Sequence, residues 1–457
     1  MSYYIIPKNK VYSNLNLKQT NNISLHISYS LILYMSEVYN ELSKLNEINV
    51  LDNDTSANNV KTINNITIDF LNKLVNPYEF IYTTVPNSSL SVCKIKSEPI
   101  FFELIEIFKL FDINNAAIMK KNINIANFTQ NPVSVNYFIN ILRENQSDYK
   151  MEHCFIYNEI FDLAIKTPFD DKFELMIFEF NQLDYFDIKQ YIKNLLLALL
   201  IIIRNQTDNG IAIIKMDNIL YKPMIDVIYI LSSIYEKVYL IKPSISNSTK
   251  SDRFLVCKSL DRSFVTKTNL LEQFQEKITK ALSHNNEEII GSILDNELPF
   301  YFINKIEETN AILGQQQLES LTTIINIYNS KNRLDKIETI QKKNIQKSIQ
   351  WCEKHSLPHN IFIDKLNRFL ITNTNTENEI RKNNIIGNSF GNIFGNVDSN
   401  NNVIDDRMFY DNIIDDCVID ININIINDNV NNDNVNVNND NVNVNNNDNN
   451  DNNDNKT

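Results

Sequence analysis

Between residues 100 and 258 the chain alternates between two hydrophobic periods, and that alternation leaves few architectures open. Helix-spaced apolar residues in "IFFELIEIFKLF" (100–111) give way to a short apolar run, "INIANF" (123–128), and then to a second helical pattern, "VSVNYFINILREN" (133–145). The runs "FELMIFEF" (173–180) and "GIAIIKM" (210–216) bracket a long helical stretch at 187–204. A helix at 221–235 and two more strands, "KVYLIKP" (237–243) and "DRFLVCKSL" (252–260), complete the series. Strands buried on both faces read as continuous apolar runs, so their alternation with helices predicts an α/β domain with a doubly wound, mainly parallel sheet. About eight polar residues join the last two strands. That is too few for a crossover, so these two strands pair antiparallel.

The flanks read differently. Residues 1–96 are mainly helical where patterned, at "ISLHISYSLILYMSEVYNELSKL" (23–45) and "ITIDFLNKLV" (66–75). The α/β domain is assigned to 97–260 and an all-helical extension to 261–375, carried by "NLLEQFQEKITKALS", "LESLTTIINIYN" and "KIETIQKKNIQKSIQWCEKH". Residues 376–457 are rich in Asn and Asp and offer too little apolar area to offset chain entropy, so a disordered tail is expected. The net charge of −13 is unevenly placed: residues 401–457 hold twelve Asp against Arg407 and Lys456, a net of −10. The first 400 residues carry only −3, so acidity does not exclude a polyanionic ligand. Five scattered cysteines, an odd number, argue for reduced thiols rather than a disulfide framework. The most apolar run, "LLLALLIII" at 195–203, is about half a membrane span and reads as a core helix. With no long apolar run at the amino terminus, the expectation is a soluble, cytoplasmic protein with no membrane partner.

Chemistry-bearing patterns are few. No glycine-rich phosphate loop is present, which disfavours a nucleoside triphosphatase. "WCEKHSLPHN" offers Cys352, His355 and His359 at a spacing zinc tolerates, but no fourth ligand stands nearby in sequence and no metal is expected. His153 and Cys154 form no nucleophile–base pattern. "KNRLDKIETIQKKNIQK" (331–347) gathers lysines that serve either as a solvated helix face or as a phosphate-binding stripe, with Lys250 and Arg253 as better-placed phosphate ligands.

The strand "GIAIIKM" ends on a charge, Lys215, and is followed after a helix by "LIKPSISNSTKSDRFLVC". This arrangement resembles the FtsJ-like family of RNA ribose 2′-O-methyltransferases, which includes the cap methyltransferases of large DNA viruses. In that family a strand ends in lysine, and a later one reads Lys-Pro, then a Ser-rich loop and an acid opening the last strand. Lys215, Lys242-Pro243, Ser246 and Asp252 match those places. Upstream, "FELMIFEF" puts Glu179 where the family has an aspartate at a strand end, and "FKLFDI" puts Lys109 at the family's helical lysine, with Lys94, Lys96 and Glu103 as alternatives. The family's Lys-Asp-Lys-Glu set is thereby implied as Lys109, Glu179, Lys215 and Asp252, with both acids exchanged for the other type. The fold implied is a Rossmann-like methyltransferase sheet with a terminal antiparallel strand. In the implied chemistry Lys215 is general base or orienter for a ribose hydroxyl. A neighbouring ammonium and burial would lower its pKa toward that task.

The resemblance implies S-adenosyl-L-methionine as cofactor, and there the sequence departs from the family. Where the family has an acid and a glycine-rich stretch, this chain has "NFTQNPVSV": Asn127 for the acid, Thr129 for the first glycine, Gln130 for a glutamate, Pro132 kept, and Val133–Ser134 for the glycine pair. Asn127, Gln130, Pro132 and Ser134 are the candidate cofactor contacts. Two readings follow. One is an enzyme acting on RNA, with the cap-proximal ribose of mRNA as its site. The other is an inactive methyltransferase fold that binds RNA or serves as a partner subunit of a capping or transcription complex. A viral chain of this type would act in the host cytoplasm or travel in the virion.

Overall fold

The computed structural model describes residues 3–9, 15–55, 67–86, 88–113, 123–129, 132–145, 149–156, 171–180, 187–283, 288–330 and 333–360. The tail at 376–457 lies outside the described residues. In chain order the elements are β1 (Tyr3–Ile6), β2 (Leu15–Thr20), α1 (Tyr29–Thr55), α2 (Ile68–Val75), α3 (Pro99–Leu110), β3 (Ile123–Thr129), α4 (Pro132–Asn145), β4 (Tyr149–Ile156), β5 (Phe173–Glu179) and α5 (Ile188–Asn205). They continue as β6 (Gln206–Met216), α6 (Lys222–Ile234), β7 (Tyr235–Ile241), β8 (Arg253–Leu260), α7 (Arg262–Lys267), α8 (Leu270–Ser283), β9 (Ile289–Leu294), α9 (Phe300–Asn329) and α10 (Leu334–Lys354).

Seven strands form one sheet in the order β1-β7-β8-β6-β5-β3-β4. Strands β4, β3, β5 and β6 pair parallel, while β8 runs antiparallel to both β6 and β7. The chain is therefore mixed α/β with a mostly parallel central sheet. The hairpin β7–β8 forms as its short polar connection requires, and β8 fills the slot that the β6–α6–β7 crossover leaves open.

Burial explains why the middle strands were legible. Residues 210–216 of β6 are all buried, and β5 buries all but Glu174 and Glu179. Helices cover both faces. Helix α5 buries Leu195 through Ile203 without a break, so it packs against one face and is itself covered by further elements. Asp187 Oδ1 caps its first turn by accepting from the backbone N–H groups of Lys189 and Gln190. On the other face, α3, α4 and the end of α10 pack through Phe101, Phe108, Phe138 and Trp351. No helix among the described residues is long and apolar enough to cross a membrane.

The flanks are less purely helical than their sequence suggests. Strand β1 joins the main sheet beside β7, and β2 pairs antiparallel with β9, which interrupts the C-terminal helical region. Asp226 on α6 holds this ribbon in place: its fully buried carboxylate accepts from the Ile293 N–H at 2.8 Å, the Leu294 N–H at 3.2 Å and the Lys222 ammonium at 2.9 Å. The terminal helices share a core of their own, in which Met35 and Leu71 meet Ile324 and Ile337.

Candidate functional site

The sheet register assembles a charged row. Lys215 is the last residue but one of β6, and its register partner on β5 is Glu179, the final residue of that strand. On the other side Lys215 faces Phe254 of β8, so Asp252, just before that strand, falls beside it at the same edge. The Lys215 Nζ stands 3.3 Å from Glu179 Oε1 and 3.7 Å from Asp252 Oδ2. All three lie at the carboxyl ends of the parallel strands, where open α/β sheets place their ligands.

A third carboxylate completes the set. Glu103 projects from α3 and its Oε2 is 3.0 Å from Lys215 Nζ, closer than either of the others. Its other oxygen accepts from the Ser246 hydroxyl at 2.5 Å. One turn further on, Glu106 accepts from the Ser244 hydroxyl and, at 3.2 Å, from the Ile245 N–H. One face of α3 thus clasps the loop from Lys242 to Asp252. Lys242 Nζ lies 3.6 Å from Asp252 Oδ1 and also donates to the Lys250 carbonyl.

Lys109 does not belong to this row. Six residues beyond Glu103 on α3, it is turned about 240° round the helix axis. Its exposed ammonium donates to the carbonyl of Lys354 instead. The helical position facing Lys215 is therefore an acid rather than a second lysine. That substitution reverses the expected electrostatics. Burial opposes the charge on Lys215, but Glu103, Glu179 and Asp252 outweigh it and raise its pKa well above the ordinary lysine value. The three carboxylates favour the ammonium form of Lys215 over a neutral base. Burial raises Glu179, with Lys215 opposing and Glu103 adding to the effect. Burial likewise works against Asp252, yet Lys242, Lys215 and Lys250 hold it below its ordinary range. Lys242 itself is lowered by burial, only partly offset by Asp252.

The remaining candidates fall elsewhere. Arg253 is 1% exposed and ties β8 to α9 through Asn310 Oδ1 at 2.8 Å, with Asn218 and the Ser251 carbonyl as further partners, so it is not free for phosphate. Asn127 is buried near the end of β3 and Pro132 opens α4. Ser134 is buried, and its hydroxyl accepts from the Glu98 N–H at 3.3 Å, while Val133 is 77% exposed. Gln130 lies outside the described residues. His355 stacks on Trp351 with ring centroids 4.2 Å apart, and among the described residues no group of three or more His, Cys, Asp or Glu could hold a metal ion.

Glu103, which the sequence offered only as an alternative to Lys109, and Lys242, matched in the Lys-Pro loop, stand in the cluster although neither was in the implied catalytic set. Lys242 carried a signal, the Lys-Pro pair. Glu103 carried little, because its contact is made across the helix–sheet interface, 112 residues from Lys215 in sequence. No protein-family model matches the chain, and no curated protein matches it.

Proposed function

We propose that the chain carries an FtsJ-like RNA ribose 2′-O-methyltransferase domain over about residues 97–260, with S-adenosyl-L-methionine as donor and the cap-proximal ribose of mRNA as acceptor. The observation that carries this reading is the row Glu179–Lys215–Asp252, with its 3.3 and 3.7 Å contacts, at the carboxyl edge of a mostly parallel sheet that contains the antiparallel β7–β8 hairpin. Acid, lysine and acid stand on the strands where that family keeps its own.

The local electrostatics alter the roles. A lysine held as an ammonium by three carboxylates has no electron pair to offer. It orients the ribose hydroxyl as a hydrogen-bond donor. Methyl transfer is an in-line displacement: the 2′ oxygen forms the new bond to carbon and the sulfonium leaves as a thioether. The hydroxyl proton passes to a carboxylate, and Glu179 is the best suited because burial raises its proton affinity. Most of the rate gain would come from alignment.

Two departures support a second reading, a methyltransferase fold that binds RNA or a partner subunit without turnover. Glu103 replaces an ammonium beside Lys215, and Val133–Ser134 replace the glycine pair of the donor loop. Calorimetric titration with S-adenosyl-L-methionine, followed by transfer of labelled methyl to capped RNA, separates the readings. The enzyme reading expects donor binding and transfer in the wild type. It expects loss of transfer in Lys215→Arg, which keeps a cation among the acids but moves it. Absence of both donor heat and transfer in the wild type leaves the second reading.

A further inference from the structure

The lysines of α10 lie on one line. Lys336, Lys343, Lys347 and Lys354 follow one another at i, i+7, i+11 and i+18. At about 100° per residue, these positions fall within about 20° of the first around the helix axis, and the row is about 27 Å long. The acids of the helix, Asp335, Glu338 and Glu353, stand about 100° to 160° away on the other flank. Lys336, Lys343 and Lys354 are exposed and Lys347 is half-buried. None of the four enters an ion pair among the described residues. Lys343 and Lys347 are four apart, and like charges at that spacing disfavour a helix. The row therefore costs the helix stability in the free protein.

Its carboxyl end leads toward the charged site. Lys109, from α3, donates to the Lys354 carbonyl and adds a fifth ammonium there. Glu106, which holds the Ser244–Ile245 segment of the Lys242–Asp252 loop, lies close enough to Lys354 to feel its charge. The apolar face of α10 is already used: Ile337, Trp351 and Cys352 are buried in the cores. The helix cannot insert an apolar face into a lipid surface.

We propose that the Lys336–Lys343–Lys347–Lys354 row is a track for the sugar-phosphate backbone of single-stranded RNA, delivering the strand to the Lys242–Asp252 loop. Within α10 the one aromatic side chain, Trp351, is buried away from the row, so the contacts that the helix offers are to phosphates and indifferent to base sequence. The track shares its RNA partner with the methyltransferase reading but needs neither donor nor turnover, so the two can fail separately.

The test is fluorescence anisotropy of a labelled oligouridine with the full chain across a salt series. Replacing the four lysines by glutamine should weaken binding at least about tenfold at low salt and reduce the slope of log K against log salt by about 3, at about 0.7 per phosphate. A control quartet that removes the same charge elsewhere, Lys44→Gln, Lys237→Gln, Lys267→Gln and Lys280→Gln, should retain most of the affinity. The corresponding arginine quartet on α10 should bind like the wild type. Single Lys343→Gln should lower the slope by about 0.7, which keeps the test valid if the quartet is unstable. Equal loss in both glutamine quartets, an unchanged slope, or no RNA binding by the wild type would overturn the proposal. So would binding to anionic phosphatidylserine vesicles without binding to RNA.

Discussion

His355 and Trp351 make the interior of this protein readable one residue at a time. Trp351 is the only tryptophan in the chain, and the His355 ring stacks on it. Burial, reinforced by Lys109 and Lys354, lowers the His355 pKa to about 4. An unfolded histidine takes its proton near pH 6.5, so between about 6.5 and 4 the unfolded chain binds more protons than the folded one. The His355 contribution to stability is complete above that window and lost progressively as pH falls through it. Tryptophan emission in the folded state should change with a midpoint near 4, and His355→Phe should remove that step. A midpoint near 6.5 would mean the ring is solvated. At Lys215 the sign is different. Its raised pKa keeps the ammonium's contribution intact throughout the neutral range and releases it only at strongly alkaline pH. Lys215→Met would leave the buried Glu103 and the half-buried Glu179 without their cation, while Asp252 keeps Lys242, and should cost about 3–5 kcal/mol by denaturant titration. Because the bereft carboxylates then hold protons more readily, the variant should recover stability as pH is lowered toward 5. The wild type, in which Lys215 opposes the upward shift of Glu179, should gain less over the same range.

Among the elements, Asp226 gives the sharpest expectation. Asp226→Ala removes the acceptor for two backbone N–H groups and the partner of Lys222, all at the β9–α6 junction. Leaving buried donors unmet should cost about 2–5 kcal/mol, and the Ile293 and Leu294 amides should exchange with deuterium much faster than in the wild type. Unchanged exchange there would mean that the ribbon is held by β2 alone. The same region shows where the sequence stops informing. Strands β3, β5, β6, β7 and β8 are legible because burial on both faces makes each a near-continuous apolar run. Strand β1 has only "YYII", with Tyr3 and Ile5 exposed at the sheet edge, and β2 reads "LNLKQT", mostly polar. β4, at the opposite edge, reads "YKMEHCFI". Edge strands need only one good side, and short ones leave no measurable period. The site divides along the same line. Glu179, Lys215 and Asp252 sit at strand ends that the pattern marks, whereas Glu103 depends on which face α3 turns inward.

Across the whole molecule, charge separates into a nearly neutral body and an acidic end. Residues 405–457 carry a net −10 of the total −13. Asn and Asp offer little apolar area to offset ordering, so removing these residues should leave the melting temperature of the body essentially unchanged in a differential scanning measurement. A drop of several degrees would mean that the segment docks on the body. Its effect on RNA should be electrostatic and long-ranged. An acidic chain tethered to a protein that takes up a polyanion through lysines lowers the local concentration of that polyanion, and it does so only within about a Debye length. Deleting residues 405–457 should therefore speed association with oligouridine in stopped-flow mixing at about 0.01 M salt, where that length is about 30 Å. The difference should vanish near 1 M, where it is about 3 Å. Dissociation should hardly change, because the phosphate contacts on α10 are untouched. If deletion slows association instead, the acidic segment takes part in capture, and the separation of charge between body and end has the opposite purpose.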